Sequence, residues 1–114
     1  MPPPIRSVDS DLLAGALGVF APLNPTHLYV HFIQVFLEVA NADGPVTFRE
    51  LEDALGLTNS AVSRTVMALG QTNRRGDPGY DLLKVDADPA EGRRFIVTLT
   101  SKGRALKRQL DKLN

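Results

Sequence analysis

The segment 47–70, TFRELEDALGLTNSAVSRTVMALG, constrains the fold more than any other part of the chain. Its apolar residues recur at helical spacing on both sides of Gly56, which predicts two short helices joined by a sharp turn. Thr47 and Glu50 have the spacing of a capping box at the start of the first helix. Gly56 suits the left-handed conformation that commonly ends a helix.

The second helix of this pair has two different faces, and Thr58 or Asn59 is its predicted N-cap. Its core-facing residues are Val62, Val66 and Leu69. Its opposite, solvent-facing side carries Ser60, Ala61, Ser63 and Arg64, with Met67 beside them. A helix that only needed to fold could carry Glu and Lys there. We call this side the low-bulk face, because most of its side chains are small, and interpret it as a contact surface. The alternative is an ordinary amphipathic helix with a sparsely charged face.

The remaining segments predict elements on both sides of the helix pair. A short helix over residues 10–20 ends at APLNP, because proline cannot donate to a helical hydrogen-bond ladder. Thr26 is the predicted cap of a longer helix that reaches about Ala42, and ADGPV then leaves a short extended piece. DLLKVDADPAEGRRFIVTLT predicts strand, turn and strand, and Thr100 starts the closing helix. The sequence thus predicts a mainly α fold with a small β-hairpin, a winged helix-turn-helix.

Charge and composition exclude several classes of protein. The net charge is zero, but residues 1–57 hold two basic and seven acidic residues, and residues 58–114 hold eleven basic and six acidic ones. A neutral chain can therefore present a basic side, although chance segregation of the charges is the alternative.

The absence of Cys excludes disulfides and thiolate zinc sites. No apolar run approaches the roughly 20 residues of a membrane span, and no signal peptide is recognisable, so we expect a cytoplasmic protein without membrane contact.

The low-bulk helix face has the properties that entry into a DNA groove requires. The major groove of B-DNA is about 12 Å wide and admits an α-helix. Ala61 allows close approach, the hydroxyls of Ser60 and Ser63 can meet phosphates or base edges, and Arg64 can form two hydrogen bonds to guanine. The helix start at Asn59 and Ser60 offers free N–H groups to a phosphate.

Two pairs of arginines are further candidate DNA contacts. Arg93 and Arg94 lie at the predicted hairpin turn, where they suit the DNA backbone or the narrow minor groove. Arg74 and Arg75 lie in the loop 71–79 and suit the sugar-phosphate backbone. A solvated turn or loop is the alternative for each pair.

Two stretches, LEDALGLTNSAVSRTVMALG and EGRRFIVTLTSKGRAL, resemble the MarR family of winged-helix regulators over about residues 28–110. The tripeptide 62–64 matches the "vsr" type of recognition helix, and residues 99–103 match the family's "LTxxG". Glu91 and Arg93 stand at the wing positions of Asp-x-Arg. The resemblance implies that Glu91 orients Arg93, which reaches DNA.

Family members usually continue into long C-terminal helices that form most of the dimer and part of an effector pocket. This chain ends about 14 residues after Thr100, so we do not expect a small-molecule effector.

These features together predict a sequence-specific regulator of transcription that binds double-stranded DNA as a homodimer. Residues 1–25 form a tail and short helix with a part in dimerisation, and residues 26–114 form the DNA-binding winged helix-turn-helix domain. The predicted dimer surface comprises Tyr29, Ile33, Leu37, Leu110 and Leu113. The alternative is a winged-helix module that binds a polymerase or replication factor, which the acidic first half of the chain keeps open.

The sequence predicts no catalytic, cofactor or metal site. His27 and His31 have the spacing of metal ligands on a helix, but no Cys is available and Glu38 is nearly two turns further on. Solvated or interface histidines are the simpler interpretation. No nucleophile motif surrounds any Ser, and the glycines of the loop 71–79 lack the strand and helix of a phosphate-binding turn. We therefore expect no enzyme activity and no cofactor.

Overall fold

Five α-helices and three short strands make up the part of the chain that the structure, a computed structural model, describes: residues 10–23, 28–71, 79–92 and 94–113. In chain order they are α1 (Ser10–Val19), α2 (Val30–Asn41), β1 (Val46–Thr47), α3 (Phe48–Leu55), α4 (Asn59–Ala68), β2 (Leu83–Ala87), β3 (Phe95–Leu99) and α5 (Ser101–Asp111), with a 3-10 turn at Ala21–Leu23. This architecture confirms the predicted mainly α winged helix-turn-helix. No helix of the described ranges is long and apolar enough to cross a membrane.

The core lies where α2 and α4 meet the sheet. Phe36 of α2 is completely buried and meets Phe20 edge to face, with ring centroids 5.8 Å apart. Val62 and Val66 of α4 and Val97 of β3 are also buried in this core. The prediction that Val62 and Val66 face the core is therefore confirmed.

The sheet has one strand more than the predicted hairpin. β3 is its central strand and pairs antiparallel with β2 on one side and β1 on the other. Val97 lies opposite Val85 of β2 and Val46 of β1. Val46 and Val97 are both buried, so burial of these two valines holds the extended piece before α3 against the hairpin.

The helix-turn-helix owes its sharp corner to local capping. The N–H of Glu50 donates to Thr47 Oγ1 over 3.1 Å, and Glu50 Oε1 accepts from the N–H of Thr47 over 3.1 Å, which confirms the capping box. Gly56 ends α3 with φ 66°, in the left-handed region that favours glycine. Thr58, rather than Asn59, caps α4, because its Oγ1 accepts from the N–H of Ala61 over 3.1 Å.

α2 begins later than the sequence pattern indicates. The predicted cap Thr26 lies outside the described residues, and the helix starts at Val30 and ends at Asn41. Tyr29 occupies the N-cap position with an extended backbone, φ −74° and ψ 157°, and its side chain caps no backbone group. The apolar periodicity that set the predicted start thus continues into residues that precede the helix.

The start of α5 is fastened to the residues that lead into β2. Thr100 Oγ1 donates to the carbonyl oxygen of Asp81 over 2.6 Å and accepts from the N–H of Gly103 over 3.0 Å. The N–H of Thr100 donates to the carbonyl oxygen of Leu82 over 3.0 Å. A side chain at Gly103 would overlap that same carbonyl oxygen. The LTxxG pattern therefore positions α5 against the hairpin.

Candidate nucleic-acid interface

The exposed face of α4 is the centre of the candidate interface. Ser60 and Arg64 are exposed, Met67 is 40% exposed, and Ala61 and Ser63 are half-buried. The structure thus brings the five predicted residues of this face to one side of the helix, opposite its buried valines. Groove contact by these residues remains a prediction.

The N-terminal end of α4 is held from two directions. The Thr58 hydroxyl accepts a hydrogen bond from the N–H of Ala61, so this N–H is not available to an acceptor outside the protein. The Asn59 side chain donates from Nδ2 to Glu52 Oε2 of α3 over 3.3 Å. Asn59 therefore links the two helices of the pair, and Glu52 places a carboxylate beside the end that we expect to approach DNA. The sequence pattern did not single out Glu52.

An ion pair closes the wing, which is the turn between β2 and β3. Arg94 donates from Nε and Nη2 to Asp88 Oδ2 over 2.9 and 2.7 Å. The Asp88 side chain is only 11% exposed, whereas that of Arg94 is 50% exposed. The N–H of Ala90, 2.9 Å from Asp88 Oδ1, and the guanidinium of Arg94 hold the pKa of the Asp88 carboxyl below its usual value. Asp88 in turn raises the pKa of Arg94.

Asp88, which the sequence pattern did not single out, orients Arg94 in this wing. The predicted orientation of Arg93 by Glu91 stays a prediction, because Arg93 lies outside the described residues. Glu91 Oε2 lies 3.6 Å from Arg94 Nη1. The Asp88 carboxyl also accepts from the N–H two residues further on, a local turn that Asp commonly forms. Aspartate followed by proline was therefore the signal in the sequence that could have identified it.

The loop arginines cannot be placed in the interface. Arg74 and Arg75 fall in 72–78, outside the described residues, so both remain predicted contacts. Of the predicted histidine pair, only His31 is described, and its ring stacks on Tyr29 with centroids 5.8 Å apart. The described residues contain no group of three His, Cys, Asp or Glu side chains that could hold a metal ion.

A cavity of about 340 Å³ lies between the start of α2 and the exposed face of α4. Its lining residues are Tyr29, His31, Phe32, Leu57, Ala61, Arg64 and Thr65. Three of these are aromatic, and His31 meets Phe32 edge to face at 4.9 Å. The cavity joins α2 to the candidate interface, a connection that the sequence pattern did not predict.

Known structures share this arrangement, although no protein-family model and no curated protein matches the sequence. A mutant of MepR from a multidrug-resistant clinical isolate of S. aureus is 16% identical, with a TM-score of 0.68, over 91% of this chain and 68% of that one. The regulator Tm0710 from Thermotoga maritima is 19% identical, with a TM-score of 0.64, over 90% and 66%. A MarR-family regulator from Rhodococcus sp. RHA1 is 21% identical, with a TM-score of 0.59, over 91% and 68%. The chain thus spans about two thirds of their length. At these identities the likeness establishes the fold, and the chain has the winged-helix fold of MarR-family transcriptional regulators.

Proposed function

We propose that the protein binds double-stranded DNA sequence-specifically as a homodimeric regulator of transcription. The observation that carries the proposal is the exposed, low-bulk face of α4, with Arg64 as its long basic side chain, in a fold shared with MarR-family regulators. Arg64 and the two serines of this face would read base edges, whereas basic residues of the wing and loops would release counterions from phosphates.

The ion pair of the wing changes the expected role of Arg94. Its guanidinium is already paired with Asp88, so the wing contributes less free positive charge than two adjacent arginines suggest. We therefore assign the phosphate or minor-groove contact of the wing mainly to Arg93 and treat Arg94 as a residue that shapes the turn.

Exposed leucines of α1 support a dimer. Leu12, Leu13 and Leu17 are 38%, 49% and 47% exposed, and no residue of α1 is buried. Ile33, Leu37 and Leu110, which the sequence analysis assigned to the dimer, pack partly against the core of the chain itself. We therefore place the dimer surface chiefly on α1 and on the end of α5. Two symmetry-related copies of α4 would then read half-sites about one helical turn apart.

Selection of bound sequences from a random pool of duplex DNA tests this function. We expect a palindromic motif whose half-sites are separated by about 10 base pairs. Enrichment of an asymmetric motif would contradict the homodimer, and failure to enrich any sequence above the input pool would contradict sequence-specific binding.

One surface favours the alternative, a module that binds another protein. Val85 and Phe95 of the hairpin are 41% and 54% exposed, and the Phe95 ring lies near Phe48, with centroids 6.3 Å apart. Adjacent exposed apolar side chains are typical of interaction surfaces. Replacement of Val85 and Phe95 by Thr should leave DNA binding intact if the main function is regulation of transcription. A pool that yields no motif would favour the alternative.

A further inference from the structure

Glu52 and Asn59 connect the two helices of the helix-turn-helix at the end of α4 that we expect to enter the groove. Asn59 is exposed at the first position of α4, and its Nδ2 donates to Glu52 Oε2 over 3.3 Å. We propose that Glu52 fixes the orientation of the Asn59 carboxamide, so that Asn59 selects adenine over guanine at one position of each half-site. This inference rests on the proposed function, and it adds a specificity-determining residue on α3.

The chemistry of the pair determines which end of the Asn59 amide is available to DNA. A carboxylate only accepts hydrogen bonds, whereas a carboxamide carries an NH2 donor group and an acceptor oxygen. Glu52 therefore holds the NH2 group through one of its hydrogens, and Oδ1 faces away from the carboxylate. Of the described residues, none donates a hydrogen bond to Asn59 Oδ1. This oxygen and the second hydrogen of Nδ2 are thus available to a base.

The corner between α3 and α4 fixes the backbone of Glu52. Its carbonyl oxygen accepts from the N–H of Gly56 over 2.9 Å and from the N–H of Leu57 over 3.2 Å. Glu52 is half-buried, and no cation of the described residues forms an ion pair with its carboxylate. Asn59 therefore has no competing cationic partner for this carboxylate, and its amide is oriented before DNA arrives. A side chain that is already oriented loses less freedom on binding.

Adenine and guanine differ in the major groove at the atoms that Asn59 would meet. Adenine presents the N6 amino group beside the acceptor N7, whereas guanine presents two acceptors, O6 and N7. Asn59 Oδ1 can accept from adenine N6 while the remaining N–H donates to N7. Against guanine, Oδ1 would face O6 with no hydrogen between the two oxygens. Turning the amide around to suit guanine would break its bond to Glu52 and bring Oδ1 against the carboxylate, so guanine is rejected.

Glu52→Gln tests the proposal, because Gln keeps the size of the side chain and a hydrogen bond to Asn59 but can either accept or donate. The Asn59 amide can then take both orientations. We expect the selected site to contain an adenine that the wild type prefers over guanine by about tenfold or more, and Asn59→Ala should abolish this preference. Glu52→Gln should lower it by about threefold to tenfold, the equivalent of one neutral hydrogen bond. Its Tm should stay close to the wild-type value, as for most surface substitutions.

Asp53→Asn is the matched control, because it removes the same charge from the next residue of α3. Asp53 lies 3.9 Å from Arg49 of its own helix and is exposed. Any gain in affinity from the lost negative charge should be similar on all duplexes, and the preference for adenine should stay as in the wild type. In the Asn59→Ala background, Glu52→Gln should have no further effect on this preference, since Glu52 acts through Asn59.

Binding of each variant to the selected site and to its single-base variants gives the outcome. An unchanged preference for adenine in Glu52→Gln, or an equal loss in Asp53→Asn, would overturn the proposal. A base other than adenine at the position that depends on Asn59, or no such position, would do the same. Failure of the wild type to enrich any sequence would contradict the proposed function itself, and this inference with it.

Discussion

Replacement of Gly103 by Ala should destabilise the fold even though alanine is the better helix former. The added Cβ would overlap the carbonyl oxygen of Leu82 and lie 3.2 Å from its carbonyl carbon and 3.4 Å from Leu99 Cβ. Leu82 cannot easily retreat, because it is buried and its N–H donates to the carbonyl oxygen of Leu69 over 2.7 Å. The strain therefore falls on the joint between α5 and the hairpin.

The change in the free energy of unfolding follows from one stabilising and two destabilising contributions. Alanine in place of glycine stabilises a helix by about 1 kcal/mol. Displacing the carbonyl of Leu82 weakens its hydrogen bond from the N–H of Thr100, which contributes about 1 kcal/mol. Forcing a methyl group into a packed site costs about 1–3 kcal/mol. The net loss is about 1–3 kcal/mol, which for a domain of this size lowers the Tm by about 4–12 °C.

Thermal unfolding followed by circular dichroism measures this difference, with Gly15→Ala as the control. Gly15 lies inside α1, and a Cβ there would meet no atom within 4 Å. The same substitution should therefore raise the free energy of unfolding by about 0.5–1 kcal/mol at Gly15 and lower it at Gly103. A Gly103→Ala variant that melts at or above the wild-type temperature would refute the proposed close contact between Gly103 of α5 and the carbonyl group of Leu82.

The other predictions concern DNA binding, the wing and assembly. Arg64→Ala should cost about 1–3 kcal/mol on the selected site and relax discrimination at one base position, as binding to single-base variants of that site would measure. Replacing Arg93 and Arg94 by Ala should reduce the slope of log affinity against log salt by about one unit per wing rather than two, because Arg94 is paired with Asp88. The contribution of Asp88 to stability is present above its unfolded pKa of about 3.9 and is lost as pH falls through its lower folded value, so Asp88→Asn should flatten the pH dependence of the Tm below about pH 4. Leu13→Glu should convert the expected dimer into a monomer in analytical sedimentation, and a dimer that survives would place the interface elsewhere.

The parts of the fold that sequence predicts well are those fixed by neighbours in the chain. The capping box of Thr47 and Glu50 spans three residues, and the left-handed Gly56 depends only on its own lack of a Cβ. The buried side of α4 follows from helical periodicity, which needs only the positions of Val62 and Val66. Such features survive any arrangement of the rest of the chain.

Features that depend on distant partners were missed for the same reason. β1 becomes a strand because Val46 meets Val97, which lies about fifty residues further along the chain. The cavity beside Arg64 exists only because the start of α2 packs across α4. Each requires a contact whose partner no local pattern specifies.

Ion pairs within the chain reduce the positive charge that is available for the proposed DNA contacts. The second half of the chain carries an excess of basic residues, but Lys84, Arg94 and Lys107 form ion pairs with Asp86, Asp88 and Asp111 respectively. Of the described residues, none forms an ion pair with Arg64. These three ion pairs lower the positive charge that the described residues offer to phosphates, and the electrostatic contribution to affinity scales with the number of phosphates neutralised. Neutral donors of α4, such as Ser60 and Ser63, would add phosphate or base contacts to those of the arginines, and two protomers bound to one palindrome would gain affinity that a single protomer lacks.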